Sequence, residues 1–418
     1  MGKAGPSGGM KHPRLYGKMV NAMNGFGLAC LKTRWILLLI CCLVLASCEK
    51  SDPVDPDPNR AVLVYMAADN SLSSDGYSNI ELMLEGMRHT SGRLLIYFDP
   101  SDDVPRLLTV QGGKDARIDT LREYQEENSA SPEVLKRVVD DARNAFPHSS
   151  YGLILWSHGM GWLPQNYYFP GTATSSLRNG RYLRTKYLGE DRHPGDGGGT
   201  ACLEIDQIAR ALPDGFDFIL MDACFMSSVE VLYELRNKAE YFISSPAEVI
   251  ANGFPYDEIA PYLWGGEEDF RKICKTFFDF YNEHEDPHRM GWQSATVSLV
   301  KSAELEELMA ATRSILRQRT DFQGITAWSY PLSYSTLPDV FFDLGDYIGQ
   351  VATAEQYAEF RKQLARTVIY KLATPEFFFQ PIPEDQFCGL STYIPYPQWA
   401  AMNQAYFGLS WPQSVYEK

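Results

Sequence analysis

Basic residues, long apolar runs and closely spaced cysteines are all scarce in this 418-residue chain. Lys and Arg total 38 against 53 Asp and Glu, a net charge of -15. Gripping nucleic acid through its phosphates needs clustered Lys and Arg, so the expectation is no nucleic-acid partner. The N-terminal apolar run at 35–45 is much shorter than the ~20 residues that a membrane-spanning helix requires. Of the eight cysteines, Cys30, Cys41, Cys42 and Cys48 crowd the N-terminal region, while Cys202, Cys224, Cys274 and Cys388 are far apart. That spacing suggests neither a zinc site nor a disulfide framework. There is no internal repeat and no Asp-rich loop of calcium-binding pattern in the central region, so no metal and no cofactor is expected. Asp339, Asp343 and Asp346 are expected as solvated loop or cap residues.

What is present begins with an export signal. Lys32 and Arg34 precede the apolar run, which ends in "LASC". This resembles the lipobox of bacterial lipoproteins and implies lipidation of Cys48; the alternatives are an uncleaved anchor or a chance Cys. Residues 1–47 are then leader and signal peptide. Residues 48–59, "CEKSDPVDPDPN", are rich in Pro and Asp, as suits a solvated tether. The protein is expected to be exported and held to a bacterial membrane through its lipid, on the periplasmic face or at the cell surface.

From residue 60 the pattern is α/β. "AVLVYMAAD", "RLLIYFD", "YGLILWSHG", "FDFILMDA" and "AEYFISSP" are apolar throughout, as in strands covered on both faces. Helical patterns separate several of them: "SPEVLKRVVDDARNAF", with Ser131 as N-cap and Pro132 at the first position, and "LEIDQIARAL". A mainly parallel sheet with helices on both faces follows, with a core over 60–260. Residues 261–418 are expected as a mixed helical and irregular portion packed on that core. The long, polar, Gly-rich stretch between Gly161 and Leu203 is either functional or a plain solvated insertion.

Reactive side chains stand at two strand ends. His158 ends "LILWSHG" and is followed by Gly159; Cys224 follows "ILMDA", where the strand is expected to turn into a helix carrying Phe225, Val229, Leu232 and Leu235. A thiol at a helix N-terminus is biased toward thiolate, and a neutral imidazole beside it serves as base and then acid. The N–H of Gly159 with that of Cys224 could cradle an oxyanion. Taken singly, a Cys after a strand is a small buried residue and a His a hydrogen-bonded structural group.

"LILWSHGMGW" with "ILMDACFMSSVE" resembles the clostripain family of cysteine peptidases, and the likeness extends through "ISSPAEVIANGFPY". The resemblance implies a caspase-like fold, a catalytic pair His158 and Cys224, Gly159 in the oxyanion hole, and a peptide or protein substrate. It also implies that Asp222 lines a pocket for Arg or Lys before the cut bond. Glu248 is the candidate for a second acid, and the alternative for Asp222 is a helix N-cap. Residues Arg178, Arg181, Arg184, Lys186 and Arg192 make the stretch between His158 and Cys224 a candidate for self-processing. Two rivals stay open: a catalytically silent lipoprotein that binds peptide or glycan at the same edge, and an amidase or transpeptidase of cell-wall peptides.

Overall fold

The computed structural model describes residues 60–163, 188–192, 200–283, 292–317, 319–331 and 339–416. Its strands in chain order are β1 (Arg60–Ala68), β2 (Arg93–Pro100), β3 (Arg106–Gln111), β4 (Ile118–Glu123), β5 (Ser150–Trp156), β6 (Glu190–Asp191), β7 (Ala201–Cys202), β8 (Phe216–Asp222), β9 (Ala239–Ser244), β10 (Thr296–Lys301), β11 (Phe342–Asp343), β12 (Val368–Ala373), β13 (Glu376–Phe377), β14 (Gln380–Pro381) and β15 (Ser391–Thr392). Nine of them form one sheet in the order β12-β10-β9-β8-β5-β1-β2-β3-β4. The five at its centre, β2, β1, β5, β8 and β9, run parallel, and they are the five apolar runs of the sequence. On either side an antiparallel pair extends the sheet.

Apolar side chains alternate between two cores because successive residues of a strand face opposite ways. Leu63, Tyr65, Leu153, Leu155, Ile219 and Met221 pack into one core; Val62, Val64, Met66, Ile154, Trp156 and Leu220 pack into the other. The helix Pro132–Ala145 covers the first face. Ser131 caps it by accepting from Val134 N–H, and Val134, Leu135, Val138, Val139 and Ala142 are buried. The helix Glu267–Glu283 covers the second face with Phe270, Ile273, Cys274, Phe277 and Tyr281, a stripe at helical spacing. Each such large side chain contributes about 1.5–3 kcal/mol on full burial.

The portion beyond residue 260 does more than pack on the core. It supplies β10 and β12 to the same sheet, and the described residues all fall in the compact unit Asp55–Lys418. Together with β3 and β4 at the opposite side, these antiparallel strands close both ends of the parallel segment. The lipid candidate Cys48 and the tether 48–59 lie outside the described residues, as do Arg178, Arg181, Arg184 and Lys186. Among the described residues no helix is long and apolar enough to cross a membrane.

Candidate active site

The register of β5 against β8 sets the site. Trp156 pairs with Asp222, and Ser157 N–H donates to the Asp222 carbonyl at 3.4 Å. His158 and Cys224 each lie two residues beyond that pair, on the carboxyl edge where ligands of open α/β sheets bind. Gly159 brings the two segments into contact. A Cβ there would stand 2.7 Å from the Cys224 carbonyl oxygen, 2.9 Å from the Ala223 Cβ and 3.1 Å from the Cys224 nitrogen, so only a hydrogen fits. Gly161 serves the same closeness one turn on, at φ 56° and against the Phe225 carbonyl. Among the described residues neither the Gly159 nor the Cys224 N–H has a hydrogen-bond acceptor.

The expected helix at Cys224 is absent. Phe225 takes φ 61°, its N–H donates to the Ala247 carbonyl, and its ring stacks on Phe341 at 4.2 Å. The helix begins only at Val229, capped by Ser228, which accepts from Val231 N–H. Two expectations are corrected. Cys224 sits in a tight turn and gains nothing from a helix dipole, and Asp222 is not the N-cap. The apolar spacing that suggested a helix arises because the turn is buried apart from Cys224.

The thiol lies against the loop that follows β9. Val249 N–H donates to the Cys224 sulfur at 3.2 Å, and the sulfur is 3.6 Å from the Val249 carbonyl. Burial, then the charge of Glu248, push the thiol up to about 12, against the pull of Val249 N–H. Of the four described cysteines, Cys224 alone reaches the surface; all four are free thiols.

His158 follows the strand between those of Cys224 and Ser71. Its Nε2 is 2.9 Å from Ser71 Oγ, and among the described residues the ring and the thiol are not hydrogen-bonded to each other. Burial lowers the imidazole below its ordinary value, Arg192 lowers it further, and Glu190 and Asp75 oppose. Sequence reasoning missed Ser71, Val249 and Glu190. The usable signal for Ser71 was its place just past β1, the neighbour of β5.

Asp222 is 4% exposed, and one carboxylate oxygen accepts from Phe254 N–H at 3.1 Å and the Tyr256 hydroxyl at 2.8 Å. Burial pushes it up to about 6 against both donors. Glu248, half-buried beside Val249, is close enough to raise the Cys224 thiol by its charge. Arg192 is held rather than loose: its N–H donates to the Asp69 carbonyl at 2.8 Å and its guanidinium pairs with Glu190 at 2.8 Å. Of the three aspartates expected as solvated loop or cap residues, Asp343 is a cap: fully buried, it caps the helix Leu344–Val351 and accepts from the Tyr330 hydroxyl.

Among the described residues no group of three or more His, Cys, Asp or Glu could hold a metal ion. What the site offers is a thiol, an imidazole held below its ordinary value and, among the described residues, two N–H groups without an acceptor on one edge, the parts of acyl transfer.

Comparison with known proteins agrees. The profile of the clostripain family matches residues 64–373. A solved structure described as an inactive zymogen C11 protease from Parabacteroides distasonis is similar, with a TM-score of 0.71 and 33% identity, covering 86% of this chain and 98% of that one. So is a secreted C11 cysteine protease from Bacteroides thetaiotaomicron in complex with an irreversible peptide inhibitor, with a TM-score of 0.71 and 30% identity, covering 85% and 99%. Clostripain of Hathewaya histolytica is 25% identical over 236 residues, 49% of this chain and 42% of that relative's length.

Proposed function

The chain belongs to the clostripain family, and from that premise we propose that it is an exported cysteine endopeptidase in which Cys224 attacks and His158 moves the proton. The observation that carries this reading is the Trp156–Asp222 register with Gly159 in backbone contact with Cys224. The sulfur attacks the scissile carbonyl carbon while its proton passes to His158. The resulting oxyanion is held by the N–H groups of Gly159 and Cys224. The C–N bond breaks as His158 returns the proton to the leaving amine, leaving a thioester. Water, deprotonated by His158, then attacks the thioester, and the sulfur leaves and recovers its proton. With the thiol raised and the imidazole lowered, both groups start uncharged near neutrality, as this transfer requires.

Asp222 and Glu248 favour a basic residue before the cut bond, since a carboxylate in a partly dry site pairs strongly with guanidinium or ammonium. The stretch between His158 and Cys224 offers basic residues to that same pocket, and self-processing there fits the zymogen description of the Parabacteroides relative. Lipid on Cys48 would keep the enzyme on a membrane surface, and Cys48→Ala expressed in a bacterial host should release it. The experiment for the enzyme itself is a peptide library varied before the cut bond, assayed with the protein and with Cys224→Ala. Cleavage after Arg or Lys that disappears in the variant is expected. Cleavage that persists in Cys224→Ala would remove the nucleophile assignment, and no cleavage by either would favour a silent binding protein.

A further inference from the structure

We propose that the turn Phe378–Phe379 is a second contact for substrate, gripping an apolar side chain about four residues from the cut bond. This rests on the peptidase reading. After β12 the chain forms a small hairpin in which Glu376 pairs with Pro381 and Phe377 with Gln380. Its two turn residues, Phe378 and Phe379, take φ 44° and 64°. Turns with two such residues are the province of Asn and Gly, because a bulky side chain is strained there. Strain kept at an exposed tip points to a use for the side chains.

The tip is also apolar where solvent reaches it. Phe377 is fully buried and Phe378 half-buried, but Phe379 is 64% exposed, more than any other large hydrophobic residue among those described. It is not a loose loop. Phe378 N–H donates to Ser294 Oγ at 2.9 Å, Ile382 N–H to the Pro375 carbonyl at 2.9 Å, and Thr374 N–H to the Ala295 carbonyl at 2.9 Å.

Its position relates it to the site. β9 and β12 both run antiparallel to β10, so β12 ends on the same edge as β5 and β8. Hydrogen bonds follow that edge from the site to the hairpin: Phe225 N–H to the Ala247 carbonyl, Ser245 Oγ to the Ala247 carbonyl, Ser245 Oγ with Thr296 Oγ1, and Thr296 paired with Ala373. Three strand spacings separate β8 from β12, about 14 Å at the usual 4.7–4.9 Å. An extended peptide covers that in about four residues at about 3.3 Å each. The occupant is therefore the aromatic or branched aliphatic side chain of an extended substrate lying along the edge.

The test uses Phe379→Gly, because glycine suits φ 64° and the variant should melt no lower than the parent. Kcat/KM is measured on peptides in which Leu or Ser is placed in turn at each of six positions on either side of the cut bond, and on a short substrate reaching two residues from it. The parent should prefer Leu about tenfold at one position about four residues away, as expected for burial of one apolar side chain. Phe379→Gly should abolish that preference and leave the short substrate unchanged. An equal effect on all peptides, or no preferred position in the parent, overturns the proposal. So does binding to phosphatidylethanolamine–phosphatidylglycerol vesicles that depends on Phe379 while peptide preference does not; the tip would then serve lipid. If the parent cuts none of the peptides, it is the peptidase reading that fails, and this proposal with it.

Discussion

Ser71 Oγ lies 2.9 Å from Nε2 of His158, on the side of β5 away from β8. The imidazole thus stands between two partners on the same edge, a hydroxyl beyond β1 and a thiol beyond β8, and in this structure it is joined to the hydroxyl. Cys224 in turn is held by Val249 N–H. On the proposed mechanism this is a resting arrangement, in which Ser71 competes with Cys224 for the imidazole.

Ser71→Ala should therefore raise the reactivity of Cys224. A neutral hydrogen bond nets about 1 kcal/mol, so removing it should speed alkylation of the thiol by iodoacetamide about fivefold at pH 7. Labelling followed by mass spectrometry measures the rate. A slower reaction would mean that Ser71 orients the ring for catalysis.

Gly159→Ala should cost both stability and turnover. The added methyl meets backbone and a Cβ, neither of which can swing aside. A loss of about 1–3 kcal/mol in denaturant unfolding is expected from overpacking. Turnover should fall about 100-fold or more as the two N–H groups part. Unchanged unfolding would show that the two segments have slack between them.

Asp222→Asn should preserve the fold, since an amide oxygen still accepts from Phe254 and Tyr256. Basic substrates should lose about 10–100-fold in kcat/KM while neutral ones change less than about twofold. Equal losses in both would make Asp222 structural.

Stability should depend on pH through Asp99. This residue is fully buried; burial, opposed by Ser129 and aided by Asp191, Glu126 and Asp69, pushes its carboxyl up to about 8 from 3.8. The folded state keeps a proton that the unfolded chain loses at about pH 4. The resulting stability is complete below that pH and is lost as pH rises through 8. Melting temperature should therefore fall between pH 5 and 8.5, and Asp99→Asn should flatten the decline. Parallel curves for parent and variant would exclude Asp99 as the source.

The legible part of the fold was the part where burial alone dictates sequence. The five parallel strands are apolar on both faces, and Ser131-Pro132 marks a helix start by its own chemistry. β12 was not legible because an edge strand is half in solvent, and Lys371 and Tyr370 blur its pattern. At the site, strand-end position and residue type singled out His158, Gly159 and Cys224. The turn after Cys224 was misread because Phe225 in a left-handed conformation has no local signal; its stacking on Phe341, 116 residues on, is what holds it. Ser71 and Val249 escaped because their relevance comes from strand order, which the chain does not spell.

The turn that carries Cys224 is finished by residues made long after it. Ser391 N–H donates to the Ser227 carbonyl, and Glu230 accepts from Thr392 Oγ1, 162 residues downstream, and from Tyr393 N–H. At about 5–20 residues per second, a ribosome needs about 8–32 s to travel that distance. Throughout that interval the thiol belongs to an unfinished turn, and contacts of such long range also form slowly once the chain is complete. Synthesis therefore carries its own delay between the making of the thiol and the completion of the turn that holds it.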